Sequence, residues 1–347
     1  MNETLADRPA QWLAGNGPEA DAVVCSRVSM SRNLADFPFP AKCAQDEKKR
    51  IEQRILNTLA EKNGFPKDGY YEFLKLGPRE QQYFLERDLA TPALLDAEGP
   101  RGVLVSADQS MSVLINGADH VRFQAAVSGL QPHVAWTRVN ALDDALASSL
   151  DFAFEERLGY LTASVWLVGT GLKVEVILHL PGLTMDKSVL TVEQEVRQKR
   201  QLLEGVFGNI RNAPGDFYRL SNAVTLGKTE EELVFTLSQT ARDILAQERA
   251  ARQRLIEEAR PSMEDRVGRA LGVARGARLL EFEEAISLLS SIRMGVSVGL
   301  IEGYSIELLN RLMVCARPAH IDLTAGRALD ELASNVKRAD LFRAKFS

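Results

Sequence analysis

Residues able to do chemistry are plentiful in this chain, but no short pattern assembles them into a familiar catalyst. Cys25, Cys43 and Cys315 are odd in number, widely spaced and without a CxxC pair, which argues against a disulfide framework or a structural zinc site. No segment matches a P-loop, a dinucleotide GxGxxG, HExxH, GxSxG or a kinase HRD signature. Chemistry-bearing residues gather instead in longer strings: CSRVSMSRNLADFPFP (25–40), NGADHVRFQ (116–124), LDDALASSLDFAFEERLGYLT (142–162), VGTGLKVEVILHLPGL (168–183) and YRLSNAVTLGKTEEEL (218–233).

The elements that must position these strings follow from length and pattern. At 347 residues the chain exceeds one ordinary core, since single cores stop growing near roughly 250 residues, so two domains are expected. A hydrophobic share of 45% and a charged share of 26% fit a globular chain and exclude disorder and collagen-like classes. Net charge is -5, so no bulk cation excess points to nucleic acid or a membrane surface. The first 24 residues lack the basic and apolar regions of a signal peptide, and no apolar run approaches the ~18 residues of a membrane span. A cytoplasmic chain is predicted.

Residues 1–22 read as a loosely ordered extension with one helical turn around Trp12. Ile51, Ile55 and Leu59 form the apolar stripe of a helix over 46–62, stopped by Asn63-Gly64. Short β-rich runs at 103–105, 112–115 and 121–126 predict antiparallel strands joined by tight turns. Leu146, Leu150 and Phe154, at i, i+4 and i+8, predict a helix over 141–158, followed by strand-rich sequence that includes 161–180. Beyond Val224 the pattern is helical, over 230–258, 262–273, 280–293 and 304–315, with a boundary near Arg260-Pro261. Helices and strands mix without a βαβ repeat, which favours α+β with an antiparallel sheet.

Taken in order, the five strings resemble the phosphagen kinase superfamily. The helical tail with MEDRVGRALGV and the closing VKRADLFR narrows the resemblance to the bacterial protein arginine kinase family, relatives of creatine and arginine kinases that phosphorylate arginine side chains in proteins. The resemblance implies an antiparallel sheet flanked by helices over 23–257 and a helical domain over 258–347. It also implies ATP with Mg2+ as cofactor, protein arginine side chains or a small zinc-binding activator as partners, and a homodimer, with no nucleic acid, membrane or protein-bound metal.

In-line transfer of a phosphoryl group to a guanidinium needs cations around the triphosphate and carboxylates that orient and deprotonate the nucleophile. By family position the nucleotide-side residues are Ser26, Arg27, Ser29, Asp88, Arg122, Lys173, Glu204 and Asn209. Arg27 and Arg122 match family arginines. Ser29 and Glu204 stand where others would be, and Lys173 keeps a charge but loses the bidentate fork. Asn209 replaces a substrate carboxylate, with Arg211 nearby. Asp88 falls where the family has a nucleotide-contacting histidine, and as a residue it reads as a plain exposed helix aspartate. The catalytic base position is Ala118, which leaves Asp119 as stand-in, and Ser164 takes the place of the substrate-orienting cysteine. Trp166 and Leu167 are expected to pack. Of the phosphoarginine motif in the closing helix only Arg338 and Ala339 remain, Ser334 standing where an arginine is usual. The resemblance therefore implies a phosphotransferase whose activity is weak or lost, or a pseudokinase acting beside an active arginine kinase in protein quality control.

Overall fold

Period-two alternation in the strands decides the architecture, because it sends apolar side chains to one face of a sheet and polar ones to the other. In the computed structural model, which describes residues 10–61, 65 and 69–347, β1 (Val23–Arg32) is followed by helix α1 (Gln45–Glu61), β2 (Tyr70–Glu72), α2 (Pro78–Glu86) and α3 (Pro92–Asp96). The strands β3 (Gly102–Val105), β4 (Met111–Ile115) and β5 (Val121–Ser128) come next, and then α4 (Pro132–Ala147). A small hairpin, β6 (Phe154–Glu155) and β7 (Gly159–Tyr160), leads to β8 (Leu172–His179), α5 (Pro181–Met185), α6 (Val189–Gln198), β9 (Gln201–Gly205) and β10 (Phe217–Asn222). The remainder is helical: α7 (Glu230–Gly276), α8 (Phe282–Ser297), α9 (Ile306–Cys315), α10 (Pro318–Thr324) and α11 (Glu331–Phe346).

Eight strands form one antiparallel sheet in the order β2-β3-β4-β5-β1-β8-β10-β9. Val28 and Met30 of β1, Phe123 of β5 and Val174 and Val176 of β8 face a core built with Ile51 and Ile55 of α1, Val139 and Leu146 of α4, and Leu237 and Ile244 of α7. A second core, around Leu289, Leu312 and Phe342, joins the C-terminal helices to Trp12, Ile177 and Phe217. Residues 11–13 form the one helical turn anticipated, but Trp12 and Leu13 are buried, so the segment from residue 10 is packed rather than loose.

Two further expectations meet corrections, and one is untested. The stop at Asn63-Gly64 lies outside the described residues. The helix over 141–158 instead starts at Pro132 and ends at Ala147; Leu146 and Leu150 are buried, but Phe154 is exposed in the hairpin opposite Tyr160. The strand expected within 161–180 begins only at Leu172, and residues 161–171 form turns. That turn closes on Gly171 (φ 68°), where a Cβ would lie 2.6 Å from both Arg32 and the Ser31 carbonyl, so only glycine fits. Helix α7 consists of two helical segments joined across a kink at Ala259 (φ -138°), two residues before Pro261, as an internal proline requires.

Candidate phosphotransfer site

The sheet face opposite the helix-covered core collects the polar half of each strand's alternation. Arg27 and Ser29 of β1, Arg122 of β5, Lys173 and Glu175 of β8, Arg219 of β10 and Glu204 of β9 all project there, being out of phase with the core residues. Register sets the pairings: Arg27 lies opposite Glu175, Ser29 opposite Lys173, and Arg219 opposite Glu204.

Arg27 is buried and ion-paired within the protein, although its Nε and Nη2 meet no acceptor in hydrogen-bond geometry. Its guanidinium reaches Asp88 Oδ2 at 2.7 Å and Glu175 Oε2 at 3.7 Å. Asp88 sits just past α2 in the left-handed region (φ 58°), and its carbonyl accepts from Gln124 Nε2 at 2.7 Å. Burial alone would raise the Asp88 carboxyl, but Arg27, Arg317 and Arg219 hold it below its usual range. Asp88 is thus a partner of the phosphate-type arginine rather than a plain exposed helix residue. A cavity of about 10 Å3, lined by Arg27, Asp88, Gln109 and Gln124 among others, adjoins the pair, with room for at most one water.

A larger cavity of about 440 Å3 opens beside it, lined by Arg122, Ser164, Trp166, Lys173, Glu175 and Asn222 among others. Arg122 Nη2 donates to Ser29 Oγ at 2.7 Å, while its buried Nε has no partner. Lys173 Nζ donates to the Asn222 carbonyl at 3.1 Å, and burial lowers its pKa despite Glu175 and Glu204. Glu175 also faces Arg219 at 3.5 Å; burial raises its carboxyl, and Arg27, Arg219, Lys173 and Arg122 together bring it below the usual range. Trp166, expected to pack, is instead 69% exposed and Val165 75% exposed, because Thr225 Oγ1 ties the Trp166 and Val168 carbonyls at 3.1 and 2.7 Å and turns the loop outward.

Several positions from the family motifs do other work. Ser26, in phase with Val28, points to the covered side, where its hydroxyl donates to the Gly129 carbonyl and accepts from Gln131 N, each at 2.8 Å. Asp119 Oδ1 accepts from Asn33 Nδ2 and from Ala163 N, both at 2.7 Å, so this oxygen braces the β4–β5 turn instead of standing free as a base. Ala118 is exposed and, like any alanine, has no titratable group. Asn209 Oδ1 accepts from Arg211 N and Asn212 N at 2.9 and 3.1 Å, which closes the turn after β9 and keeps Asn209 out of the lining of the 440 Å3 cavity. Arg211 lines a different cavity and does not compensate for Glu204. Arg338 is buried and spent internally on the Ala316 and Leu280 carbonyls and Asn335 Oδ1, at 2.7, 2.8 and 2.7 Å, with Ser334 Oγ at 3.1 Å. The adjoining cavity carries Glu281, Glu283, Asp322, Asp330 and Glu331, the wrong sign for a phosphorylated side chain.

The catalytic-domain model of ATP:guanido phosphotransferases matches residues 50–251, and the C-terminal domain model of protein-arginine kinase matches residues 260–347. The chain belongs to the protein-arginine kinase family. It is 38% identical to the protein-arginine kinase of Pelotomaculum thermopropionicum over 350 residues (100% of this chain, 98% of that one) and 37% identical to that of Symbiobacterium thermophilum over 349 residues (100% and 99%). Among solved structures it resembles lombricine kinase, with a TM-score of 0.58 at 24% identity over 70% of this chain and 72% of that one. The duplicated taurocyamine kinase of Schistosoma mansoni gives a TM-score of 0.57 at 23% identity over 65% and 33%. The fold is accordingly that of the phosphagen kinases.

ATP use is what membership implies. Against that, the cations Arg27, Arg122, Lys173 and Arg219 share their face with Asp88, Glu175 and Glu204, and two of them are in ion pairs with these carboxylates. The residues present, with their carboxylates among the cations, do not fit a triphosphate. Glu175 and Arg219 were missed in the strings read for chemistry. Their signal was the alternation itself, in Lys173-Val174-Glu175-Val176 and Tyr218-Arg219-Leu220.

Proposed function

We propose that this protein-arginine kinase family member transfers phosphate only in trace or not at all, and acts as a pseudokinase that binds protein, as a regulator or partner of an active arginine kinase. The observation that carries the reading is Arg27: its charge is answered by Asp88 at 2.7 Å and Glu175 at 3.7 Å, so the clamp is filled from within. Loss of a general base costs about 10² to 10⁴ in rate and loss of one charge-stabilising donor about 10² to 10³; Ala118 and the Arg27 pairing remove one of each.

The domain reading, 23–257 and 258–347, is supported by the kink at Ala259. A cytoplasmic homodimer that meets a zinc-binding activator or protein arginines completes the proposal, on family resemblance. Titration calorimetry with Mg-ATP tests the filled clamp: no saturable heat at millimolar nucleotide is expected, and tight binding overturns it.

A further inference from the structure

A cavity of about 330 Å3 adjoins the 440 Å3 one and shares Asn222 and Val224 with it, so the two form one groove from the Trp166 turn to the first turns of α7. Its floor is apolar, from Val224, Leu233 and Phe235, the last 63% exposed. Arg200 and Lys228 stand at its rim with Glu232, whose carboxylate lies 3.9 Å from Lys228 Nζ, so Arg200 carries the unanswered charge. Among the described residues no side-chain hydrogen bond or ion pair holds the Arg200 guanidinium, while its backbone is fixed in the left-handed region (φ 55°) with its carbonyl accepting from Ala223 N at 3.1 Å. Gln201, 5% exposed, also lines the cavity, and its buried Oε1 has no hydrogen-bond partner. An orphaned buried acceptor is costly unless a donor meets it, which favours an occupant that brings an N–H.

We infer that this groove docks an extended peptide segment of a partner protein, with an aliphatic or aromatic side chain on Leu233 and Phe235, a flanking carboxylate toward Arg200, and a backbone N–H donated to Gln201 Oε1. Three features select this occupant together. The unpaired Arg200 asks for an anion and the apolar floor asks for a side chain. The lone acceptor asks for an amide, which inorganic phosphate does not supply. The inference deepens the protein-binding reading above, but it requires no nucleotide, so its failure leaves the phosphotransfer reading untouched.

The test is fluorescence anisotropy with the full chain, without ATP, and a fluorescein-labelled octapeptide alternating glutamate with leucine and phenylalanine. Saturable binding is expected, weakened about fivefold or more in Arg200→Glu and in Phe235→Ala, both at exposed positions, with melting temperatures unchanged. The matching lysine peptide should not bind. Absence of saturation with the acidic peptide, equal affinity for the lysine peptide, or unchanged affinity in both variants overturns the inference. Should Arg200→Glu fail to fold, Arg200→Gln reports the same contact.

Discussion

Asp88 Oδ2 lies 2.7 Å from Arg27 Nη2, so a carboxylate from the end of α2 occupies the guanidinium that the family resemblance assigns to phosphate. Glu175, opposite Arg27 in the sheet, closes the other side. This arrangement has consequences for stability as well as for activity.

Both carboxyls are held below their usual ranges in the folded state. Their stabilisation is therefore complete above the unfolded-state values, near 3.8 and 4.5, and is lost as pH falls through the lower folded-state values. Acid unfolding of the wild type should steepen below about pH 4.5. Glu175→Gln should remove part of that limb and cost about 3 kcal/mol at neutral pH, because Arg27 and Arg219 keep their charges. Denaturant melts across pH 2–7 check both, and an identical acid limb in the variant contradicts the assignment.

Restoring one part should not restore the reaction. Ala118→Glu alone is expected to leave phosphotransfer at background, since Arg27 stays paired. The combination S29R, D88N, A118E and E204R should raise it by about 10² or more over the wild type, non-additively. Labelled ATP with an arginine-rich acceptor measures each; full recovery from Ala118→Glu alone would show that Asp88 blocks nothing.

Trp166 gives an optical handle. Trp12 is 3% exposed and Trp166 69%, so acrylamide should quench a distinct exposed component that disappears in Trp166→Phe. Stability should change by no more than about 0.5 kcal/mol. Retention of that component in the variant would mean that another tryptophan carries it.

What could be read from sequence divides along physical lines. The strands at 103–126 are legible because alternation and tight turns are local, and the α7 start because the helical pattern opens at 230, where the structure adds a capping box of Thr229 and Glu232. The helix over 141–158 was misread because the Leu146, Leu150, Phe154 stripe continues by coincidence past Ala147, where the chain turns into a hairpin. Trp166 was misjudged because its exposure depends on Thr225, distant in sequence. The Asp88–Arg27 pair had no local signal at all: it joins a helix end to a central strand, and only the fold brings them together.

Histidine titration gives a further stability test. Burial lowers the pKa of His120, His179 and His320. Each is neutral when folded, while the unfolded chain takes up protons below about pH 6.5, so stability should fall as pH drops through that value. His179 hydrogen-bonds Ser290 at 2.9 Å and is the most strongly shifted. Melting temperatures between pH 7.5 and 5.5 should decline; a flat or rising profile would contradict neutral buried imidazoles.

The central claim is that the filled clamp and the missing base leave no proficient kinase. Its most direct test is incubation of folded wild-type protein with γ-labelled ATP, Mg2+ and an arginine-rich acceptor, followed by counting of acid-labile phosphate. The account predicts label no higher than the protein-free blank. Acid-labile label on arginine that accumulates over many turnovers would contradict it.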